Sequence, residues 1–309
     1  MVLDLFNGYK YVLEEITVMF DVIIPIYNVQ ENLLIACFDS VQEQSFSEYT
    51  VWVCDGKPSK ETKSLVASYE FNYIEQDNEH YKRVGGARNQ AVSFGKQPYL
   101  AFLDGDDKWY SYHLEEMAKE IKSASESTVI FSSVCDTHYR LESYKTGEVY
   151  EMERLYGHYE PYDFILNHPH LAYYWFFGHP PAPTSTCVKR NAFEEVGGFD
   201  ERFSILEDTE CWMRMCGDPR KTDSLKEFKP VMMVSAYHTI GENNTTNRGS
   251  QSPAFSQDIE SVFDANSDLF MEIHPFPSEQ DKPKEVGEEE WLSILKTVEG
   301  LNRTQIFNI

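Results

Sequence analysis

PYLAFLDGDD, residues 98–107, carries the apolar run Tyr99 to Leu103 and then, without a break, three carboxylates around one glycine. A short continuous apolar run bounded by turn formers reads as a buried strand. Its acids therefore stand at the carboxyl edge of a sheet. Side chains two apart in an extended chain point the same way, so Asp104 and Asp106 can converge on one spot. Gly105 lets the backbone turn there. Clustered carboxylates repel one another, and a hard divalent cation such as Mg2+ or Mn2+ relieves that repulsion. The same tetrad also reads as an acidic turn in which Asp106 or Asp107 caps the next helix. These residues alone leave both readings open.

Outward from this strand, element types alternate. FDVIIPIY (20–27) is a β-branched strand, residues 29–45 have helical apolar spacing, YTVWVCD (49–55) is a second strand and KETKSLVASY (60–69) a second helix. FNYIEQ (71–76) is a short strand, 85–95 a helix, 109–122 a helix and TVIFSSV (128–134) a strand. Strand and helix alternating with short connections predicts a mostly parallel α/β sheet. Ligands of such sheets bind beyond the carboxyl ends of the strands. Those ends are Tyr27–Asn28, Asp55–Gly56, Gln76–Asp77 and Asp104–Asp107, polar at every one.

From about Tyr139 aromatic density rises, HPPAP (179–183) breaks regular structure, and TSTCVKR (184–190) reads as a strand. NAFEEVGG (191–198) and 207–216 read as helices, VMMVSAYH (231–238) as a strand and 241–252 as a polar loop. Residues 1–19 look like an added arm. Residues 20–252 form the main domain, with halves at 20–135 and 136–252, and 253–309 an acidic helical extension.

The 309 residues are 41% hydrophobic and 25% charged, a globular profile. Twenty-seven basic against 51 acidic residues give a net charge of −24, which repels nucleic acid and anionic lipid. The six cysteines form no CxxC pair and read as reduced, buried thiols. With neither a secretory pattern nor a membrane-spanning run, a soluble cytoplasmic protein is expected. Self-association through the acidic tail is left open.

The ordered set Pro25-Ile26-Tyr27-Asn28, Asp55-Gly56, Gly85-Gly86-Ala87-Arg88-Asn89, LDGDD, then Val196-Gly197-Gly198-Phe199-Asp200-Glu201 and Glu207-Asp208 with Trp212 and Arg214, resembles family 2 glycosyltransferases. The resemblance covers about residues 20–245 and implies a GT-A fold, a nucleotide-binding half followed by an acceptor half. It further implies that Tyr27 stacks on the donor base, Asp55 accepts from it, and Arg88 contacts base or phosphate. Asp104 would touch the ribose and, with Asp106, a Mn2+ or Mg2+ ion on the diphosphate; Asp107 would support them. Asp208 would be the general base, kept ionised by its helix N-terminus, with Glu207, Trp212 and Arg214 on the acceptor side. His238 is a candidate third metal ligand, a satisfied structural histidine being the alternative.

The function implied is inverting transfer of a sugar from a nucleoside diphosphate donor, a UDP-sugar, to a hydroxyl of a glycan or other acceptor. Two rivals stand beside it. Nucleotidyl transfer would favour a Gly-rich basic loop after the first strand, which PIYNVQEN lacks. A non-catalytic carbohydrate- or partner-binding protein would have no need of Asp104, Asp106 and Asp208 together.

Overall fold

The computed structural model describes residues 18–77, 83–142, 149–156, 162–240 and 257–300. Most of the expected arm and the polar loop 241–252 lie outside them. Strand β1 (Phe20–Ile26) is buried at every position, as an unbroken apolar run covered on both faces should be. It pairs in parallel with β2 (Tyr49–Asp55) and β4 (Tyr99–Phe102), and β3 (Asn72–Glu75) adds in parallel to β2. Helices α1 (Glu31–Gln42), α2 (Lys60–Ser68) and α3 (Val84–Phe94) are the crossovers. The pleat sorts the core. Ile23 packs with Ala87 and Ala91 of α3, while Val22, Ile24 and Ile26 pack with Leu34, Cys37 and Phe38 of α1.

Beyond β4 the sheet is mixed, a departure from the mostly parallel expectation. Strand β8 (Thr186–Lys189) runs antiparallel to both β4 and β6 (Thr128–Glu142). β9 (Glu227–Ile240) is parallel to β6, and β5 (Lys108–Trp109) antiparallel to β9. Among the described residues the order is β3-β2-β1-β4-β8-β6-β9-β5, with β7 (Val149–Tyr156) antiparallel on β6. The reversal at β8 has a local cause: the 3-10 turn Pro183–Ser185 is tied to the carboxyl edge of β4, so β8 starts from that edge. Thr184 Oγ1 accepts the Asp104 N–H (3.3 Å), and the Trp109 indole donates to the Thr184 carbonyl (2.7 Å). Trp109, expected to open a helix, lies in β5 opposite Ala236; α4 (His113–Ser123) starts four residues later. β7 was not legible from the sequence.

The second half adds α5 (Tyr162–Asn167), α6 (Ala172–Trp175), α7 (Arg190–Glu195) and α8 (Glu207–Cys216). Helices α9 (Gln257–Ile273) and α10 (Glu288–Gly300), expected as an extension, pack into the same core. Phe270, Trp291, Ile294 and Leu295 are buried with Tyr173 to Phe177, and the Trp291 ring meets Tyr174 edge-on at 4.9 Å. All six cysteines are buried and unpaired with one another. No helix among the described residues is long and apolar enough to cross a membrane.

Candidate active site

At the end of β1, Tyr27 is 65% exposed, and Asn28 takes a left-handed turn (φ 54°). β2 ends beside it in Asp55-Gly56, where the Gly56 N–H donates to the Ile26 carbonyl (2.9 Å). A Cβ on Gly56 would stand 2.8 Å from Gln76 Oε1 and 3.0 Å from the Tyr27 ring, so a larger residue there would push both side chains aside. Asp55 is buried and accepts from the Lys57 N–H (2.8 Å) and the Tyr73 hydroxyl (3.0 Å). Burial raises its pKa, and those two donors partly offset the rise. A recess of about 270 Å3 opens here, bounded by Ile26, Asn28, Val29, Asp55, Lys57 and Ser59.

The acidic tetrad follows β4. Gly105 does not adopt a positive φ; it supplies room, because a Cβ there would stand 2.5 Å from Ile26 Cγ2. Asp107 is buried as an anchor. It accepts from the Thr184 hydroxyl, from His238 Nδ1 (2.9 Å) and from the Thr239 N–H (2.8 Å). Asp106 is pushed up to about 7 by burial and then by the charges of Asp107 and Asp104, with His238 opposing. Burial alone would lower His238, but the Asp107 carboxylate outweighs it and raises the imidazole to about 9. Among the described residues no three His, Cys, Asp or Glu side chains are placed to hold a metal ion together. His238, read from the sequence either as a third ligand or as a satisfied structural histidine, has its Nδ1 on Asp107.

Arg88, expected on base or phosphate, is 2% exposed on α3 and bridges two carboxylates instead. Its Nη2 lies 2.6 Å from Asp104 and its Nη1 2.7 Å from Glu207. Desolvation opposes its charge, but Asp104 and Glu207 hold it fully protonated. Glu207 and Asp208 open α8 after Leu206, whose φ is +66°. Burial and the neighbouring Asp208 push Glu207 up to about 7 against the pull of Arg88. Asp208 is also raised by burial, while the Thr209 N–H (2.6 Å) and Arg88 oppose the rise. The helix terminus therefore does not hold Asp208 at an ordinary carboxylate pKa, contrary to the expectation.

Two acceptor-side expectations are corrected. Trp212 is fully buried against Phe102 and Phe199, with its indole donating to the Pro181 carbonyl (3.1 Å). Arg214 grips Glu210 (Nη2–Oε2 2.6 Å) and the Val196 and Gly198 carbonyls, holding the turn before α8 to the helix. Their spacing on α8 suits the core face as well as an acceptor face, so periodicity did not separate the two. Tyr73 and Thr184 were not anticipated. Tyr73 acts through a hydrogen bond to the neighbouring strand β2, and Thr184 through bonds from its 3-10 turn to the acidic loop about 80 residues earlier. Only the alternation of β3 could have marked Tyr73.

The family model described as glycosyl transferase family 2 matches residues 21–180. The UDP-Glc:alpha-D-GlcNAc-diphosphoundecaprenol beta-1,3-glucosyltransferase WfgD of Escherichia coli is 35% identical over 95 residues, which is 30% of this chain and 37% of WfgD. The match thus spans little more than a third of that enzyme. The solved structure of Staphylococcus aureus TarS 1–349 in complex with UDP-GlcNAc superposes with a TM-score of 0.58 at 17% identity, covering 94% of this chain and 73% of that one. The mannosyltransferase PcManGT from Pyrobaculum calidifontis, in complex with GDP-Man and Mn2+, gives 0.51 at 13% identity, covering 94% and 87%. These two likenesses show a shared fold.

Proposed function

The chain belongs to glycosyl transferase family 2 and is a glycosyltransferase; we propose that it transfers a sugar, with inversion, from a UDP-sugar to an acceptor hydroxyl, with Asp208 as general base. The observation that carries this reading is Arg88, whose one guanidinium joins Asp104 at the donor strand ends to Glu207 beside Asp208. Two carboxylate groups with separate roles are thereby held a fixed distance apart. Tyr27 offers an exposed face for the base, and Asp55, which lines the recess between β1 and β2, an acceptor for its N–H. WfgD uses UDP-Glc by its name, and TarS holds UDP-GlcNAc, which favours uracil as that base.

The acidic tetrad fits a divalent ion through its own chemistry. Asp106 and Asp104 are crowded carboxylates; burial first and then the charges of Asp107 and Asp104 raise Asp106 to about 7, and a cation would offset both. Two protein ligands suffice where substrate phosphates complete the shell, and PcManGT holds Mn2+ in its complex. When bound, such an ion supplies charge stabilisation to the departing diphosphate. His238, held cationic by Asp107, supplies a further positive charge beside the tetrad.

Asp208 accepts the proton of the acceptor hydroxyl as its oxygen bonds to the anomeric carbon, while the bond from that carbon to the diphosphate oxygen breaks. A raised pKa suits this role, because a base is most effective when its pKa lies nearer the working pH. The test is a melt with UDP, GDP, CDP or dTDP, each with Mn2+ or with EDTA, followed by UDP release from UDP-glucose and UDP-N-acetylglucosamine. Stabilisation by UDP only with metal is expected, about 2.7 kcal/mol at 100 times Kd. Asp208→Asn is expected to lower turnover by about 100-fold to 10,000-fold with UDP affinity kept. Equal turnover by that variant would sink the assignment of the base.

A further inference from the structure

We infer that α9 and the residue after it form a positioning element for the carboxylate pair at the head of α8, acting through Asn266 and His274. The inference rests on Asp208 being the base. Leu206, immediately before Glu207, has φ +66°, a region that L side chains avoid and that leucine cannot ease with a local hydrogen bond. Such backbone persists only where its surroundings impose it. Part of the imposing contact comes from α9. The buried Asn266 takes the Ser204 N–H on its Oδ1 at 2.7 Å, two residues before Leu206.

Eight residues further on, His274 Nε2 stands 3.6 Å from Glu210, two residues after Asp208. The same ring is fixed from the other side by the Tyr173 hydroxyl at 3.2 Å from Nδ1. Asn266, Phe270 and His274 follow the four-residue spacing of one helix face, and Phe270 is buried between the two polar contacts. Glu207 and Asp208 are thus bracketed by the Asn266 hydrogen bond on one side and, on the other, by the His274 ring, whose Nε2 approaches Glu210 beyond hydrogen-bond reach. That element lies outside residues 21–180, the part of the chain the family model matches. Tyr27 and Asp55 stand at the ends of β1 and β2, and Asp104, in the loop after β4, is linked to the head of α8 through Arg88.

The experiment compares the full-length chain with Asn266→Ala and Asn266→Asp, measuring UDP release from UDP-glucose and UDP-N-acetylglucosamine and, separately, the Kd for UDP with Mn2+. Loss of the Ser204 contact is expected to lower kcat by about 10-fold to 100-fold, with the UDP Kd unchanged within about twofold. Asn266→Asp keeps an acceptor oxygen and should recover most of the lost kcat. A kcat for Asn266→Ala within about twofold of wild type, or parallel losses in kcat and UDP affinity, would overturn the inference. Should Asn266→Ala not fold, His274→Gln is read for the same split by the same criteria. Asp208→Asn in parallel separates the failures. If it loses turnover while Asn266→Ala keeps it, only the role of α9 falls; if it retains turnover, the base assignment falls first.

Discussion

Arg88 and Glu207 are 119 residues apart in sequence and form a 2.7 Å ion pair in which both side chains are buried. The same guanidinium reaches Asp104, so one cation neutralises carboxylates from both halves of the domain. Removing it leaves two acids without their counter-charge, and breaking a buried pair from one side costs about 3–5 kcal/mol. Arg88→Met is expected to lose stability on that scale in urea unfolding. Arg88→Lys should recover only part, because an ammonium lacks the planar fork that serves two carboxylates at once.

Asp106→Asn tests the metal assignment independently of turnover. The amide removes a negative charge from a crowded cluster, so the metal-free variant should melt no lower than wild type. Its UDP-induced stabilisation in Mn2+ should vanish, as it does for wild type in EDTA. Calorimetric titration of Mn2+ in the presence of UDP reads this directly; undiminished Mn2+ uptake by the variant would remove Asp106 from the site.

His113 gives a prediction for acid stability. It is fully buried, stacked on Trp109 at 4.4 Å, with Nδ1 at 2.8 Å from Ser235 Oγ, and burial pushes it down to about 3. The unfolded chain therefore binds a proton that the native one refuses between about pH 6.5 and 3. Stability falls as pH drops through that window, by up to about 1.4 kcal/mol per pH unit for one such histidine. His113→Phe keeps a ring on Trp109 and should flatten the loss between pH 7 and 5 in urea melts. Glu207, raised to about 7, has the opposite sign, favouring the native state at the lower pH, and is common to both proteins.

Trp291 tests whether the tail is part of the core. Its ring is 1% exposed against Tyr174, and its indole donates to the Ser278 carbonyl at 3.3 Å. Trp291→Ala should cost about 3–5 kcal/mol, the range for emptying a large aromatic site. A single cooperative transition, lowered as a whole, is expected in the melt. A native-like melt for the variant would show the tail to be an accessory.

The sequence by itself determined the parallel half. FDVIIPIY, YTVWVCD and PYLAFLD are apolar runs punctuated by polar residues, and hydrophobic periodicity is a local signal that needs no partner strand to be read. The same runs placed Tyr27, Asp55 and Asp104 at strand ends, which is where the structure has them. What only the tertiary structure decided depends on partners far away in the chain. Trp212 and Arg214 became core and clasp because α8 turns those positions toward Phe102, Phe199 and the Val196–Gly198 turn. Arg88 became a bridge because Glu207 arrives opposite it, and β8 reversed the sheet because Thr184 is tied to the acidic loop. An ion pair or hydrogen bond between residues a hundred positions apart leaves no period in the sequence. Whether a polar side chain faces a ligand or another side chain is therefore fixed by packing.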